Sequence, residues 1–215
     1  MYKVILFDLD GTLTESGEGI INSVQYALES LGRPVPEREE LKAFIGPPLV
    51  EQFMEYTGMD REEAEKGVVY YRERYAREGI FENKLYPGVE DMLYQLIKKH
   101  YILAVASSKP EKFVNQILEH FEISEYFDVI TGSGLDGTRV TKTEVIEEAL
   151  KRLGMENRRE EVLMVGDRKH DILGARQSGL ECLAVSYGYG SMEELQKAEP
   201  IAIASSTQGV VDFFE

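Results

Sequence analysis

The sequence predicts a doubly wound α/β fold, in which helices cover both faces of a parallel sheet. Three observations lead to this prediction. Short apolar runs recur without the alternation typical of strands that face water on one side, amphipathic stretches lie between the runs, and one long segment contains helical patterns but no strand. Strands that alternate with helices in this way form α/β domains.

Six apolar runs are the predicted strands. They occupy residues 4–7, 101–106, 128–130, 162–165, 182–185 and 201–204. Continuous apolar character is typical of strands that helices bury on both faces.

Amphipathic helices are predicted between several of these strands. Residues 88–100 and 111–121 repeat apolar side chains at helical spacing. Residues 141–154 begin with the capping-box pair Thr141 and Glu144 and end at Gly154.

The segment from residue 16 to residue 85 interrupts this alternation. It contains four helical patterns, at residues 19–32, 37–45, 47–58 and 60–78, with prolines and glycines between them. We therefore predict a core domain formed by residues 1–15 and 86–215, and an inserted α-helical cap domain formed by residues 16–85.

Composition limits the class of partner. The chain has 215 residues, of which 43% are hydrophobic, and a formal net charge of −15. Such a surface repels nucleic acid and anionic lipids, so we expect neither as a partner. No basic leader or long apolar segment is present, and Cys182 is the single cysteine, so we expect a cytoplasmic protein. Its expected oligomeric state is a monomer or a homodimer.

Two acidic residues follow the first predicted strand at once. Asp8 and Asp10 are separated only by Leu9, and open parallel sheets bind ligands at the carboxyl ends of their strands. Carboxylates this close together repel each other unless a cation or a proton offsets their charge. Taken alone, however, two such acids often do no more than cap a turn.

Further polar residues lie at the ends of other predicted elements. Ser107 follows the second strand, Lys142 opens the helix after the third, and Asp167 and Asp171 follow the fourth. Each has a local alternative, since Ser107 and Asp167 could cap helices and Lys142 could be a solvated lysine. Together they form the set that phosphoryl transfer requires: carboxylates for Mg²⁺, a carboxylate nucleophile and donors for phosphate oxygens.

In this order, the motifs resemble those of the haloacid dehalogenase superfamily of phosphohydrolases. The resemblance spans essentially the whole chain and rests on "DLDGT", Ser107, Lys142 and "GDRKHD". It implies a Rossmann-like core. The helical insertion resembles the cap of the phosphoglycolate phosphatase branch, and "FIGPPL", "GIFENKLYPGV", "GLDGTRVTKTEVI" and "GYGS" are similar to bacterial 5′-nucleotidase-like members. Ser108 stands where relatives often have asparagine.

The resemblance implies roles for the two acids after the first strand. Asp8 is the expected nucleophile, which forms an aspartyl-phosphate, and Asp10 is the expected general acid and then general base. Mg²⁺ is the expected cofactor, held by Asp8, Asp167 and the carbonyl of Asp10, with Asp171 as an orienting residue or a ligand through water.

Phosphate contacts are also implied by the resemblance. Gly11, Thr12, Ser107, Ser108 and Lys142 are expected to bind the transferring phosphoryl group. Lys142 and the metal would then explain how so acidic a protein holds an anion.

The sequence thus predicts a Mg²⁺-dependent phosphomonoester hydrolase that acts on a small phosphorylated metabolite. A sugar phosphomutase of the same branch is an alternative, although "DGT" in place of "DGV" favours hydrolysis. A phosphorylation-switched receiver module would lack the second acid and the cap, and a dehalogenase would not need the metal. The turn Ile45–Leu49 could read the leaving group or simply join two helices.

Overall fold

The computed structural model describes residues 1–215 and divides into two compact units. One unit comprises Met1–Thr14 and Leu85–Glu215, and the other comprises Glu15–Lys84. None of the helices combines the length and the apolar composition needed to cross a bilayer.

The first unit is built on a six-stranded parallel sheet. Its strands are β1 Val4–Phe7, β2 Ile102–Pro110, β3 Val129–Ser133, β4 Val162–Gly166, β5 Glu181–Val185 and β6 Ala202–Ala204. The spatial order is β3-β2-β1-β4-β5-β6, and every pairing is parallel. This arrangement confirms the predicted doubly wound sheet. The connections change direction beside β1, which pairs with both β2 and β4.

Ten α-helices accompany the sheet. They are α1 Gly17–Ser30, α2 Arg38–Leu41, α3 Leu49–Thr57, α4 Arg61–Arg74, α5 Val89–Lys98, α6 Glu111–His120, α7 Lys142–Leu153, α8 Lys169–Gln177, α9 Met192–Ala198 and α10 Thr207–Phe213. Helices α1–α4 belong to the second unit and the others to the first.

The first strand is buried on both faces, as its apolar run predicts. Val4 and Leu6 belong to one hydrophobic cluster with Ile146 of α7 and Ile172 of α8. Ile5 and Phe7 point to the opposite face because side chains alternate along a strand, and both are fully buried. Helices α7 and α8 on one face, and complete burial on the other, therefore hold β1 in place.

Helix α7 begins and ends as the sequence predicts. The hydroxyl of Thr141 accepts a hydrogen bond from the amide of Glu144 at 3.2 Å, and the carboxylate of Glu144 accepts one from the amide of Thr141 at 2.9 Å. Gly154 closes the helix with φ 67°, a conformation that glycine adopts without a steric penalty. The capping box places Lys142 in the first turn.

The second unit contains the four predicted helical patterns, with two differences. The pattern at residues 37–45 divides into α2 and a 3-10 turn, Lys42–Phe44. The pattern at residues 60–78 is α4 followed by a π-helical turn, Tyr75–Gly79. Glycine allows this turn to pack closely, because a Cβ on Gly19 would lie 2.0 Å from the carbonyl oxygen of Gly79.

Three short helices, α8, α9 and α10, are absent from the sequence-based prediction. The last two have seven residues each, too few for a clear helical period. Their serine caps are the signal that was available: Ser191 accepts from the amide of Glu194 and Ser206 from that of Gly209.

Replacing the cap of α7 tests whether its first turn is held locally. We expect Thr141→Ala to lower the free energy of unfolding by about 1 kcal/mol, because the amide of Glu144 loses its acceptor. Urea denaturation measures the change. Thr141→Ser, which keeps the hydroxyl, should stay within about 0.5 kcal/mol of wild type; equal losses in the two variants would contradict a capping role.

Candidate active site

The candidate site lies at the carboxyl ends of β1 and β4, where the sheet connections change direction. Asp8 follows β1 and Asp167 follows β4, and the amide of Asp8 donates to the carbonyl oxygen of Val165 at 2.9 Å. Neighbouring parallel strands that end together bring these two acids to one crevice.

Three carboxylates cluster there. Oxygen atoms of Asp8, Asp167 and Asp171 all lie within 4.8 Å of one another, and all three residues are buried. Asp171 reaches the cluster from the first turn of α8, and one of its oxygens accepts from the amide of Arg168 at 3.0 Å.

Lys142 is the cation inside this cluster. Its Nζ lies 2.6 Å from Oδ1 of Asp8 and 2.8 Å from Oδ1 of Asp171, and it donates to the carbonyl oxygen of Ala106 at 3.0 Å. Burial acts to lower the pKa of Lys142, but the charges of Asp171 and Asp8 outweigh burial and raise it. The lysine is therefore held in its charged form.

One lysine does not neutralise three acids, and the pKa values reflect this. Burial raises the pKa of Asp8 to about 6, although the charge of Lys142 opposes the shift. Burial, followed by the charges of Asp171 and Asp8, holds the pKa of Asp167 well above its usual range. The site without a further cation therefore favours protonated acid.

Glycines surround Asp167 closely. A Cβ on Gly11 would lie 2.1 Å from Oδ2 of Asp167, and one on Gly188 would lie 2.2 Å from the carbonyl oxygen of Gly11. The amide of Tyr189 donates to Oδ2 of Asp167 at 2.7 Å. The loop after β5 therefore packs directly against both acid-bearing loops.

Tyr187 holds this loop to the turn that follows β1. Its hydroxyl donates to the carbonyl oxygen of Thr12 at 3.0 Å, and its ring lies edge-on to that of Tyr86, with 5.0 Å between centroids. Tyr187 is not among the site residues that the sequence predicts. The repeated glycines of "YGYG" were the available signal, since they allow close backbone approach.

The turn after β1 is internally hydrogen-bonded. The amide of Gly11 donates to the oxygen of Thr14 at 2.8 Å, and that of Thr12 donates to the oxygen of Leu9 at 3.3 Å. The hydroxyl of Thr12 donates to Asp167 at 3.4 Å. Phosphate binding by Gly11 and Thr12 stays a prediction.

Ser107 and Ser108 lie near the end of β2. Ser107 is buried, and its hydroxyl accepts from the amide of Lys109 at 3.3 Å. It does not cap α6, which begins at Glu111 after Pro110. Pairing of β2 with β3 is irregular between Ala106 and Pro110, so the strand does not end smoothly here.

Asp10 has a partner of its own, Lys109, which is not among the site residues that the sequence predicts. Oδ2 of Asp10 lies 2.6 Å from Nζ of Lys109, and the two side chains are only 11% and 6% exposed. The other oxygen of Asp10, Oδ1, is buried without a hydrogen-bond partner. Asp10 therefore has a lysine partner different from the one that Asp8 and Asp171 share, although its charge still contributes to the raised pKa of Asp8.

The donor set fits a small divalent cation. Buried carboxylate oxygens are the ligands that Mg²⁺ prefers, and a cation would offset the charge that raises the pKa values of Asp8 and Asp167. Asp171 lies within the acid cluster, while its contacts with Lys142 and with the amide of Arg168 suit an orienting role.

The chain is similar to known proteins over most of its length. A family model described as "Haloacid dehalogenase-like hydrolase" matches residues 5–185. A protein named 5′-nucleotidase from Pseudomonas aeruginosa is 45% identical over 199 residues, covering 93% of this chain and 89% of the relative. "Tyrosine-protein kinase PtkA" from Mycobacterium tuberculosis is 38% identical over 201 residues, covering 94% and 68%.

One solved structure is similar to this chain along the whole length of this chain. The crystal structure of a predicted phosphatase from Clostridium acetobutylicum has a TM-score of 0.95 and 43% sequence identity, and the match covers 100% of this chain and 98% of the other.

The excess negative charge of the site predicts a pH-dependent stability. Because the pKa values of Asp8 and Asp167 are raised in the folded state, the protonated acids stabilise the fold at low pH. That stability is lost as the pH rises through the folded pKa. We expect the metal-free protein to be less stable towards urea at pH 7 than at pH 5.

Asp167→Asn should reduce this dependence and stabilise the metal-free protein at pH 7, because it removes a charge that burial disfavours. It should also diminish the rise in melting temperature caused by Mg²⁺. The matched control is Asp128→Asn, at an exposed position, which should behave as wild type. Destabilisation by Asp167→Asn at pH 7 without metal would contradict this account.

Proposed function

The chain belongs to the haloacid dehalogenase-like hydrolase family and is a phosphatase, and we propose that it hydrolyses a small phosphomonoester through an aspartyl-phosphate on Asp8. The observation that carries this proposal is the position of Asp8. Asp8 directly follows β1. Its carboxylate lies inside the acid cluster, 2.6 Å from the ammonium of Lys142. A carboxylate held beside a fixed cation suits attack on a phosphate dianion.

Asp8 and Asp10 divide the chemistry of the first step. A carboxylate oxygen of Asp8 forms a bond to phosphorus as the bond from phosphorus to the leaving oxygen breaks. Protonated Asp10 gives its proton to that oxygen, and the alcohol departs.

The second step regenerates both acids. Asp10, now a carboxylate, takes a proton from water while the water oxygen bonds to phosphorus. The bond between phosphorus and Asp8 breaks, inorganic phosphate leaves, and Asp10 is protonated again.

The proposed side-chain contacts to the phosphoryl group are Lys142, Ser107 and Ser108. Gly11 and Thr12, in the turn after β1, are proposed to bind the same group. A phosphoryl group bonded to Asp8 would be within reach of the ammonium that already contacts that carboxylate.

Asp8, Asp167 and the carbonyl of Asp10 are the groups that we propose to hold Mg²⁺, with Asp171 orienting them. The bound ion supplies positive charge that offsets the carboxylates and the phosphate dianion. Without that charge, burial keeps the pKa values of Asp8 and Asp167 raised, which would leave less carboxylate for attack.

The relative named 5′-nucleotidase supports a nucleoside 5′-monophosphate as the first substrate to test, and the phosphoglycolate phosphatase-like motifs support phosphoglycolate as the second. A panel that also contains sugar phosphates and p-nitrophenyl phosphate, with phosphate release as the readout, distinguishes these substrates. Interconversion of sugar phosphates without phosphate release would instead favour a mutase.

Because one relative is named tyrosine-protein kinase, transfer of phosphate to tyrosine should also be tested. Incubation with labelled ATP and a tyrosine-containing protein should give label in free phosphate or none at all. Stable label on tyrosine would contradict hydrolysis as the main activity.

The nucleophile is tested by Asp8→Asn. We expect loss of at least about 1,000-fold in turnover, because the isosteric amide does not attack phosphorus. The matched control is Asp136→Asn, in the second Leu-Asp-Gly-Thr of the chain, whose aspartate is exposed. Near wild-type turnover by folded Asp8→Asn protein would exclude this mechanism.

Metal dependence is tested by chelation. We expect EDTA to stop phosphate release and Mg²⁺ to restore it, because without a cation nothing offsets the combined charge of the acid cluster and the phosphate dianion. Ca²⁺ is larger and less strict in its geometry, so it should restore little activity. Undiminished turnover in EDTA would show that Lys142 alone is sufficient.

A further inference from the structure

Two buried lysines divide the acids of the site between them. Lys142 contacts Asp8 and Asp171, whereas Lys109 contacts Asp10. The roles proposed above use Lys142 but leave Lys109 without a function. Lysine side chains are rarely this buried unless they are paired. The pair with Asp10 accounts for the burial of Lys109, and its effect on Asp10 is the question that follows.

The backbone holds Lys109 in place. Its amide donates to the hydroxyl of Ser107 at 3.3 Å, and Pro110 follows it as the residue before α6. Pairing of β2 with β3 is irregular at this point. An irregular strand end redirects a side chain that would otherwise lie on one face of the sheet, and here the side chain of Lys109 meets Asp10.

The ion pair makes the two oxygens of Asp10 unequal. Oδ2 receives the ammonium of Lys109 at 2.6 Å. Oδ1 is buried and has no hydrogen-bond partner. A buried acceptor without a partner is costly, and such an atom at a reaction centre marks a place where a substrate group or water is bound.

We propose that Lys109 is a positioning residue for Asp10, which anchors Oδ2 so that Oδ1 exchanges the proton with the leaving oxygen and with water. This inference rests on the proposed phosphatase function. In the first step, the proton on Oδ1 passes to the leaving oxygen as the bond from that oxygen to phosphorus breaks. In the second, Oδ1 takes a proton from water as the water oxygen bonds to phosphorus and Asp8 is released.

The consequence is a dependence on the leaving group. An alkoxide needs protonation to depart, whereas p-nitrophenolate departs without it. Loss of the anchor should therefore reduce kcat/KM for alkyl phosphates strongly and for p-nitrophenyl phosphate weakly, because kcat/KM reports only the steps up to release of the first product. Hydrolysis of the intermediate should slow for both classes and produce a burst of p-nitrophenol.

The experiment compares Lys109→Met with Lys109→Arg on p-nitrophenyl phosphate and on adenosine 5′-monophosphate, 2-phosphoglycolate and glucose 6-phosphate. For the alkyl phosphate that wild type hydrolyses fastest, we expect Lys109→Met to lower kcat/KM by about 10- to 100-fold, within the range of general acid catalysis. For p-nitrophenyl phosphate, the loss should stay below about threefold. Lys109→Arg, which keeps the ion pair, should recover most of the alkyl phosphate activity.

Two further variants separate positioning from other effects. Asp10→Asn combined with Lys109→Met should be no worse than Asp10→Asn alone, because Lys109 acts only through Asp10; this double variant also leaves no unpaired buried charge. Lys112→Met, at an exposed lysine on α6, should behave as wild type. Circular dichroism checks folding, and Lys109→Gln replaces Lys109→Met if the latter does not fold.

The outcomes distinguish this inference from the proposed function. Equal losses of kcat/KM on all substrates would show that Lys109 binds phosphate, and a full effect in the Asp10→Asn background would show that it acts elsewhere; either result overturns the inference alone. Absence of phosphate release by wild type with Mg²⁺, or full activity of Asp8→Asn, overturns the proposed function and the inference with it.

Discussion

The site depends on the concentration of negative charge in a buried place. Asp8, Asp167 and Asp171 have oxygens within 4.8 Å of one another, and Lys142 is the ammonium that contacts two of them. Such an arrangement costs folding free energy unless further positive charge is bound. The same imbalance supports our proposal that the site binds a cation and, through it, a phosphate dianion, in a protein of net charge −15.

The fold meets this cost with rigid supports. Helices α7 and α8 pack against one face of β1, and the capping box at Thr141 fixes the first turn of α7, from which Lys142 extends. The loop after β5 adds a backbone donor to Asp167 and a hydroxyl donor to the carbonyl oxygen of Thr12. Gly188 is required there because a side chain would collide with Gly11 and Asp167. Catalytic groups placed on such supports need little reorganisation during reaction.

Lys142 and Lys109 contact different acids, although Asp8 and Asp10 are only two residues apart. Asp8 shares Lys142 with Asp171, while Asp10 faces Lys109. In the roles that we propose, Asp8 attacks phosphorus and Asp10 exchanges a proton, and each of these acids has its own lysine to hold it in position. Lys109 lies in the irregular end of β2, where its ammonium contacts Asp10.

The sequence by itself determined the parallel sheet and most of the helices around it, because burial leaves a local pattern of apolar residues. It also indicated the acids after β1 and β4 and the lysine at the start of α7, because parallel sheets bind ligands at the carboxyl ends of their strands. It did not reveal α8–α10, whose helices are short, nor the contacts of Lys109 and Tyr187. Only the tertiary structure decided these contacts: Lys109 lies 99 residues from Asp10 and Tyr187 lies 175 residues from Thr12. No local periodicity encodes such pairings, since they arise when separate strands end side by side.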